Sequence, residues 1–304
     1  MKSVIALGGN ALMQRGQPLS ISVQRENARM AACALAGIAR KHQLVLTHGN
    51  GPQVGLLAMQ SQAFKQASPY PFDIMGAATE GMIGYILEQE LGNVLGRDVP
   101  VATLLTRVEV DPNDPEFTSP SKYIGPHFDE AQAQALIDQY GWTFKKDGPT
   151  WRRVIASPHP LRILWHRPIR WLLDNGAVII CGGGGGIPVI STPDGSLEGI
   201  DAVIDKDRVS SLLAVHLAAD LFIIATDVPG IYENYGTPQQ KLLTSLTAGE
   251  LQQKEFSKGS MGPKVEAIIN FVQKTGRPAA IGCLSEIEKI IARQAGTWIM
   301  PDAN

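Results

Sequence analysis

The chain has 304 residues, 44% of them hydrophobic and only 6% aromatic, enough to build a large core at a length that a single α/β domain can reach. Its 27 Lys and Arg nearly balance 29 Asp and Glu, a formal charge of -2, which argues against nucleic acid held by bulk phosphate neutralisation and against an acidic membrane surface as partner. Cys33, Cys181 and Cys283 lie far apart with no CxxC pair, as expected of a reduced, cytoplasmic chain; no apolar run approaches the ~20 residues that span a bilayer, and the one after Met1 is too short for a signal peptide.

Short β-rich runs alternate with longer helical patterns. Val4–Leu7, Leu44–Thr47, Val99–Leu105, Val178–Cys181, Leu221–Ala225 and Ala279–Gly282 are apolar throughout, the pattern of strands covered on both faces. A helix face is predicted for Val23, Met30, Leu35 and Ile38. Cleaner ones are predicted for Val209, Leu212, Leu213, His216 and Leu217, and for Val265, Ile268, Ile269 and Val272. Strand–helix alternation on this scale predicts right-handed crossovers and a mainly parallel sheet with helices on both sides. The stretch from Asp111 to Pro168 breaks the rhythm. Prolines at 112, 115, 120, 126, 149, 158, 160 and 168 leave room for one good helix, around Asp129–Tyr140. An insertion of this length is expected to be a lid, subdomain or partner surface within one domain spanning 1–304, or else a static excursion.

Glycine follows three of the predicted strands, as Gly8-Gly9-Asn10, as Gly49-Asn50-Gly51 after His48, and as Gly182 to Gly186 after Cys181. In a parallel sheet these turns fall at the carboxyl ends of strands, where ligands bind in open α/β folds. Glycine also lets an anion approach backbone N–H groups without meeting a Cβ. Neither GxxxxGK[ST] nor GxGxxG is present, and GxSxG, HExxH and EF-hand patterns are absent, which sets aside Walker-type, dinucleotide, nucleophilic-hydrolase and zinc readings. Lys206 and Lys264 each open a predicted helix, where a cation opposes the macrodipole at roughly 0.3–1 kcal/mol. Such placement makes sense if a polyanion lies between them, although either lysine alone could be solvated decoration. Asp205 and Asp207 are N-cap residues on the plain reading and holders of the ammonium groups on the functional one. Lys122, inside the proline-rich stretch, could fold over the site.

Taken as a set, Ala6-Leu7-Gly8-Gly9-Asn10-Ala11, His48 to Gly55, Gly81-Met82-Ile83-Gly84-Tyr85, Lys122-x-Ile124-Gly125-Pro126, Trp151-Arg152-Arg153-Val154, Ser157-Pro158-x-Pro160, Cys181 to Val189, Val203-Ile204-Asp205-Lys206-Asp207 and Gly259 to Lys264 resemble the carbamate kinases. The resemblance runs in order from the first strand to the last helix. It implies the amino acid kinase fold, a three-layer α/β/α sandwich around a mainly parallel sheet with a protruding subdomain at 111–168, and normally a homodimer. It implies reversible phosphoryl transfer between ATP and carbamate with Mg²⁺, often run toward ATP at the end of arginine or related nitrogen catabolism. Gly8, Gly9, Asn10, Gly49, Asn50 and Gly51 match the turns around carbamate and the transferred group. Lys122 and Lys206 match lysines near carbamoyl phosphate, Asp207 the aspartate that organises the lysines, and Lys264 the lysine on the nucleotide phosphates. Gly183, Gly184, Thr226, Asp227, Tyr232 and Met261 fall where the family holds the nucleotide, with Mg²⁺ carried mainly by the phosphates rather than by side chains. Ala156 departs from a proline common in the family, and Met75 and His159 occupy variable positions. The alternatives are an acetylglutamate-, aspartate- or uridylate-type kinase on the same fold, or a non-catalytic nucleotide-binding regulator.

Overall fold

The computed structural model describes residues 1–9, 16–18, 20–64, 69–256 and 261–302. Asn10, Gly259 and Ser260 lie outside them.

All six predicted strands enter one eight-stranded sheet. In spatial order it consists of Ser245–Thr247, Thr297–Met300, Ala279–Cys283, Leu221–Thr226, Lys2–Leu7, Gln43–His48, Val178–Cys181 and Val101–Leu104. Neighbours run parallel except Ala279–Cys283 against Thr297–Met300. The apolar runs are explained by burial on both faces: Val4 and Ala6 pack into one core cluster, Ile5 and Leu7 into another. Helices Arg167–Asp174, Lys206–His216 and Gly262–Thr275 cover the first face through Leu173, Val209, Leu213, Ile268 and Phe271. Helices Ile21–Ala39, Phe72–Leu95 and Ile287–Ile291 cover the other through Ala28, Leu35, Ile83, Leu87 and Ile290. The expected three-layer α/β/α architecture is therefore the one observed. Among the described residues, no helix is long and apolar enough to cross a membrane.

The face predicted for the Ile21–Ala39 helix needs correction. Met30 is 45% exposed, and small residues (Ala28, Ala31, Ala32, Ala36) line the buried side together with Leu35 and Ile38. Close approach to the Phe72–Leu95 helix and the sheet selects small side chains over long ones.

Register aligns the carboxyl ends. Leu7 stands opposite both His48 and Ala225, and Leu46 opposite Ile180. The turns after these strands consequently leave from one edge of the sheet. Strand order also reverses at Lys2–Leu7, with Gln43–His48 on one side and Leu221–Thr226 on the other, a switch point of the kind that opens a ligand crevice.

Within 111–168, strands Lys122–Phe128, Thr150–Ile155 and Phe144–Asp147 form a separate antiparallel sheet. The expected helix spans Glu130–Tyr140. A reciprocal capping box starts it, Asp129 with Gln132, and Gly141 at φ 67 ends it. The tail of the stretch behaves differently. Pro160–Ile163 joins a second sheet with Arg107–Val110, Ile187–Ser191 and Leu197–Gly199.

Candidate active site

Lys206 stands at the start of its helix, where Asp205 caps the first turn by accepting from the N–H groups of Asp207 and Arg208. Its buried ammonium group donates to the Leu7 carbonyl at 2.8 Å and pairs with Asp207 Oδ1 at 2.9 Å. Lys264, in the first turn of the Gly262–Thr275 helix behind Pro263, donates to Asp207 Oδ2 at 2.8 Å. One carboxylate thus holds two lysines from two helices, beside the end of the first strand. From the separate sheet, Lys122 Nζ donates to Asp205 Oδ2 at 3.3 Å. The helix is further fixed from behind: Ser210 Oγ donates to the Lys206 carbonyl at 2.7 Å and lies 2.6 Å from Thr47 Oγ1.

Charge balance follows from these contacts. Burial opposes the Asp207 charge, but Lys206 and Lys264 outweigh it and hold this carboxyl well below the usual range. Burial also opposes the Asp205 charge, and Lys122 overcomes it. For Lys206 burial wins, so its ammonium is held below its ordinary value in spite of Asp207. For Lys264 burial loses to Asp207, and its pKa is raised.

The glycine turns meet around this cluster. Gly8 N donates to the Ala225 carbonyl at 2.8 Å, and a Cβ on Gly49 would lie 3.4 Å from the Gly9 Cα. Gly184 and Gly185 have φ of +66 and +95; a Cβ would overlap the Asn50 amide at the first and the Ile204 carbonyl at the second. Only glycine permits both the left-handed backbone and that approach.

The third turn differs from expectation in what its N–H groups do. Gly183 donates to Glu80 Oε1 at 2.9 Å and Gly182 to Thr106 Oγ1 at 2.8 Å, while Gly185 and Gly186 close back on the Gly182 and Gly183 carbonyls. The Gly183 donor expected to face nucleotide is committed to the protein interior, because Glu80, from the Phe72–Leu95 helix, reaches it first.

Thr226, Asp227, Tyr232, Met261 and Lys264 line a single cavity of about 570 Å³, joined by Gly230, Asn234, Tyr235 and Phe256. Thr226 Oγ1 donates to Asp227 Oδ1 at 3.0 Å, and the Tyr232 and Tyr235 rings lie 5.9 Å apart. Gly183 and Gly184 do not line it. Sequence reasoning missed Tyr235 and Phe256; their only signal was aromatic character close to Tyr232 and Met261. Between Lys122, Asp205 and Pro263 a second cleft opens, of about 490 Å³, also lined by Arg152 and Arg208.

Two clefts, one lined by Lys264 and the other by Lys122, flank a lysine–aspartate cluster at a switch-point edge, the arrangement of a phosphotransferase. The sequence profile of the amino acid kinase family matches residues 1–283. A carbamate kinase of Rhizobium meliloti is 56% identical over 301 residues, covering 98% of this chain and 93% of that one. One of Haemophilus influenzae is 50% identical over 299 residues, covering 98% and 96%. The solved structure of carbamate kinase from Giardia lamblia bound to AMP-PNP has a TM-score of 0.91 at 38% identity, over 99% of this chain and 98% of that chain. The chain belongs to the amino acid kinase family, and within it to the carbamate kinases.

Proposed function

We infer that the protein transfers a phosphoryl group reversibly between ATP and carbamate, running toward ATP from carbamoyl phosphate and ADP in nitrogen-compound catabolism. The observation that carries this reading is the bridge of Asp207 between Lys206 and Lys264 beside the glycine turns. Carbamate is already an oxyanion, so no general base is needed to create the nucleophile. The difficulty is holding one anion in line with the γ-phosphate of another, and phosphoryl transfer is catalysed mainly by such positioning and by charge stabilisation. An acceptor of the acetylglutamate kind is not favoured, since relatives that match the whole chain at 56% and 50% identity are carbamate kinases.

In this reading Lys206 and Lys122 hold the transferred group and the acceptor, and Gly8, Gly9, Asn10, Gly49, Asn50 and Gly51 surround them. The base and ribose occupy the cavity of Thr226, Asp227, Tyr232 and Met261, with Lys264 on the phosphates. A kinase acting with ATP requires a divalent metal, here Mg²⁺, which neutralises phosphate charge when bound. The nearby carboxylates fit a phosphate-borne ion: Asp207 is engaged by two lysines and Asp205 by Lys122. Residues 111–168 include a lid that closes the acceptor side through Lys122. A homodimer is supported by exposed Met30, Ile74 and Tyr85 on the neighbouring helices Ile21–Ala39 and Phe72–Leu95, and a cytoplasmic setting by three free cysteines. The test is ATP formation from ADP, Mg²⁺ and carbamoyl phosphate by the purified protein; activity only with another acyl phosphate refutes the choice of acceptor.

A further inference from the structure

A buried carboxyl group outside the lysine cluster has no part in the mechanism above. Glu80 is fully buried, eight residues into the Phe72–Leu95 helix. Oε1 accepts from Gly183 N at 2.9 Å and Oε2 from Thr106 N at 3.0 Å. Thr106 in turn accepts from Gly182 N through Oγ1 at 2.8 Å and donates to the Leu104 carbonyl at 3.0 Å. The preceding residue extends the contact to another turn: Thr79 Oγ1 accepts from Asn50 Nδ2 at 2.9 Å and donates to the Met75 carbonyl, also at 2.9 Å. Burying a carboxyl group is costly unless it is hydrogen-bonded, and here both of its oxygens are spent on main-chain N–H groups.

We propose that Glu80 is a positioning residue for phosphoryl transfer, clamping the 182–186 turn to the Phe72–Leu95 helix so that Asn50 and the Asp205–Asp207 segment are held in register. The clamp transmits because the turn is packed without slack. The missing Cβ of Gly184 leaves room for the Asn50 amide, and that of Gly185 for the Ile204 carbonyl, one residue before Asp205. Thr79 also fixes the Asn50 amide, accepting from its Nδ2. The inference rests on the carbamate kinase reading and adds to it the part that sets the acceptor-side turn. The nucleotide cavity includes no residue of this helix or of the 182–186 turn, so the clamp acts directly on the acceptor side and reaches the nucleotide only at one remove, through Asp207 and Lys264.

Glu80→Gln keeps one acceptor oxygen and turns an NH₂ group toward the second N–H. Burial pushes the Glu80 carboxyl up to about 8, with the Thr106 and Gly183 N–H groups pulling the other way. A neutral amide therefore leaves no uncompensated charge in this dry site, while its NH₂ group deprives one of the two N–H groups of its acceptor. Thr79→Val removes the hydroxyl that holds Asn50 while keeping the shape, and serves should Glu80→Gln fail to fold. For each folded variant, kcat/KM for carbamoyl phosphate is expected to fall about 10- to 100-fold, as misplacement of reacting groups does, with the KM for ADP within about twofold of wild type. Unchanged kcat/KM in both variants overturns the proposal. So does a parallel rise of both KM values accompanied by a lowered melting temperature, the mark of general loosening. Hydrogen exchange separates this proposal from the functional reading: in Glu80→Gln, amides of 48–53 and 182–187 should exchange faster while those of 221–227 do not. Inactive wild-type protein with that exchange pattern refutes the substrate assignment and leaves the clamp standing, whereas unaltered exchange refutes the clamp.

Discussion

Replacing Asp207 by Asn probes the lysine cluster most directly. The side chain is 4% exposed, with Lys206 Nζ at 2.9 Å on one oxygen and Lys264 Nζ at 2.8 Å on the other. At an effective dielectric constant of about 20 each pair attracts by roughly 6 kcal/mol before desolvation is subtracted. Most of that gain is consumed by burying the charges, but removing one partner of a buried pair still costs about 3–5 kcal/mol, because the others stay buried uncompensated. Burial already lowers the Lys206 pKa, and without Asp207 nothing nearby except Asp205 opposes that shift. The variant is therefore expected to lose stability on this scale in urea unfolding. Its ATP formation should fall about 10²–10³-fold, the usual loss for a preorganised electrostatic group. Wild-type turnover and midpoint in Asp207→Asn would refute the bridge as the organising element.

Lys206→Ala should leave the fold intact, since Asp207 keeps Lys264, and should lower turnover about 10²–10³-fold in the coupled ATP assay. Gly185→Ala places a Cβ against the Ile204 carbonyl at φ +95; a loss of about 1–3 kcal/mol is expected from overpacking, read as a lower melting temperature. His48 is fully buried, and burial pushes its imidazole down to about 4. Protons bind the unfolded chain first as pH falls from about 6.5, so the stability His48 confers is present above that pH and is lost on the way to 4, by at most about 3 kcal/mol. His48→Gln, compared with wild type in urea midpoints between pH 4 and 7, should flatten that part of the profile.

The six apolar runs could be read from sequence because strands buried on both faces leave a continuous signal, and all six lie in the central sheet. Short edge strands such as Ser245–Thr247 carry no such run. The Phe72–Leu95 helix escaped for a related reason. Phe72, Ile83 and Leu87 share the buried face with Gly76, Thr79, Glu80, Gly84 and Glu90, while Ile74 and Tyr85 stay exposed, so residue character does not mark the buried stripe. Gly84 is there because a Cβ would collide with the Thr103 side chain on the sheet. The charged site residues could be named from their order along the chain. The resemblance made Asp207 the organiser of the lysines but did not assign Lys122 to Asp205, and nothing pointed to the role of Glu80, which looks in sequence like any surface glutamate on a helix.

From the sequence alone came the alternation of strands and helices, the three glycine turns, and the identity of the lysines and aspartates, all of which follow from local periodicity and residue chemistry. Tertiary structure decided which carboxylate serves which lysine, and which of the glycine N–H groups are left to meet a ligand. Those outcomes depend on contacts between residues as far apart as Leu7 and Lys206 or Glu80 and Gly183, fixed by sheet register and helix packing and not by the neighbours of any one residue along the chain.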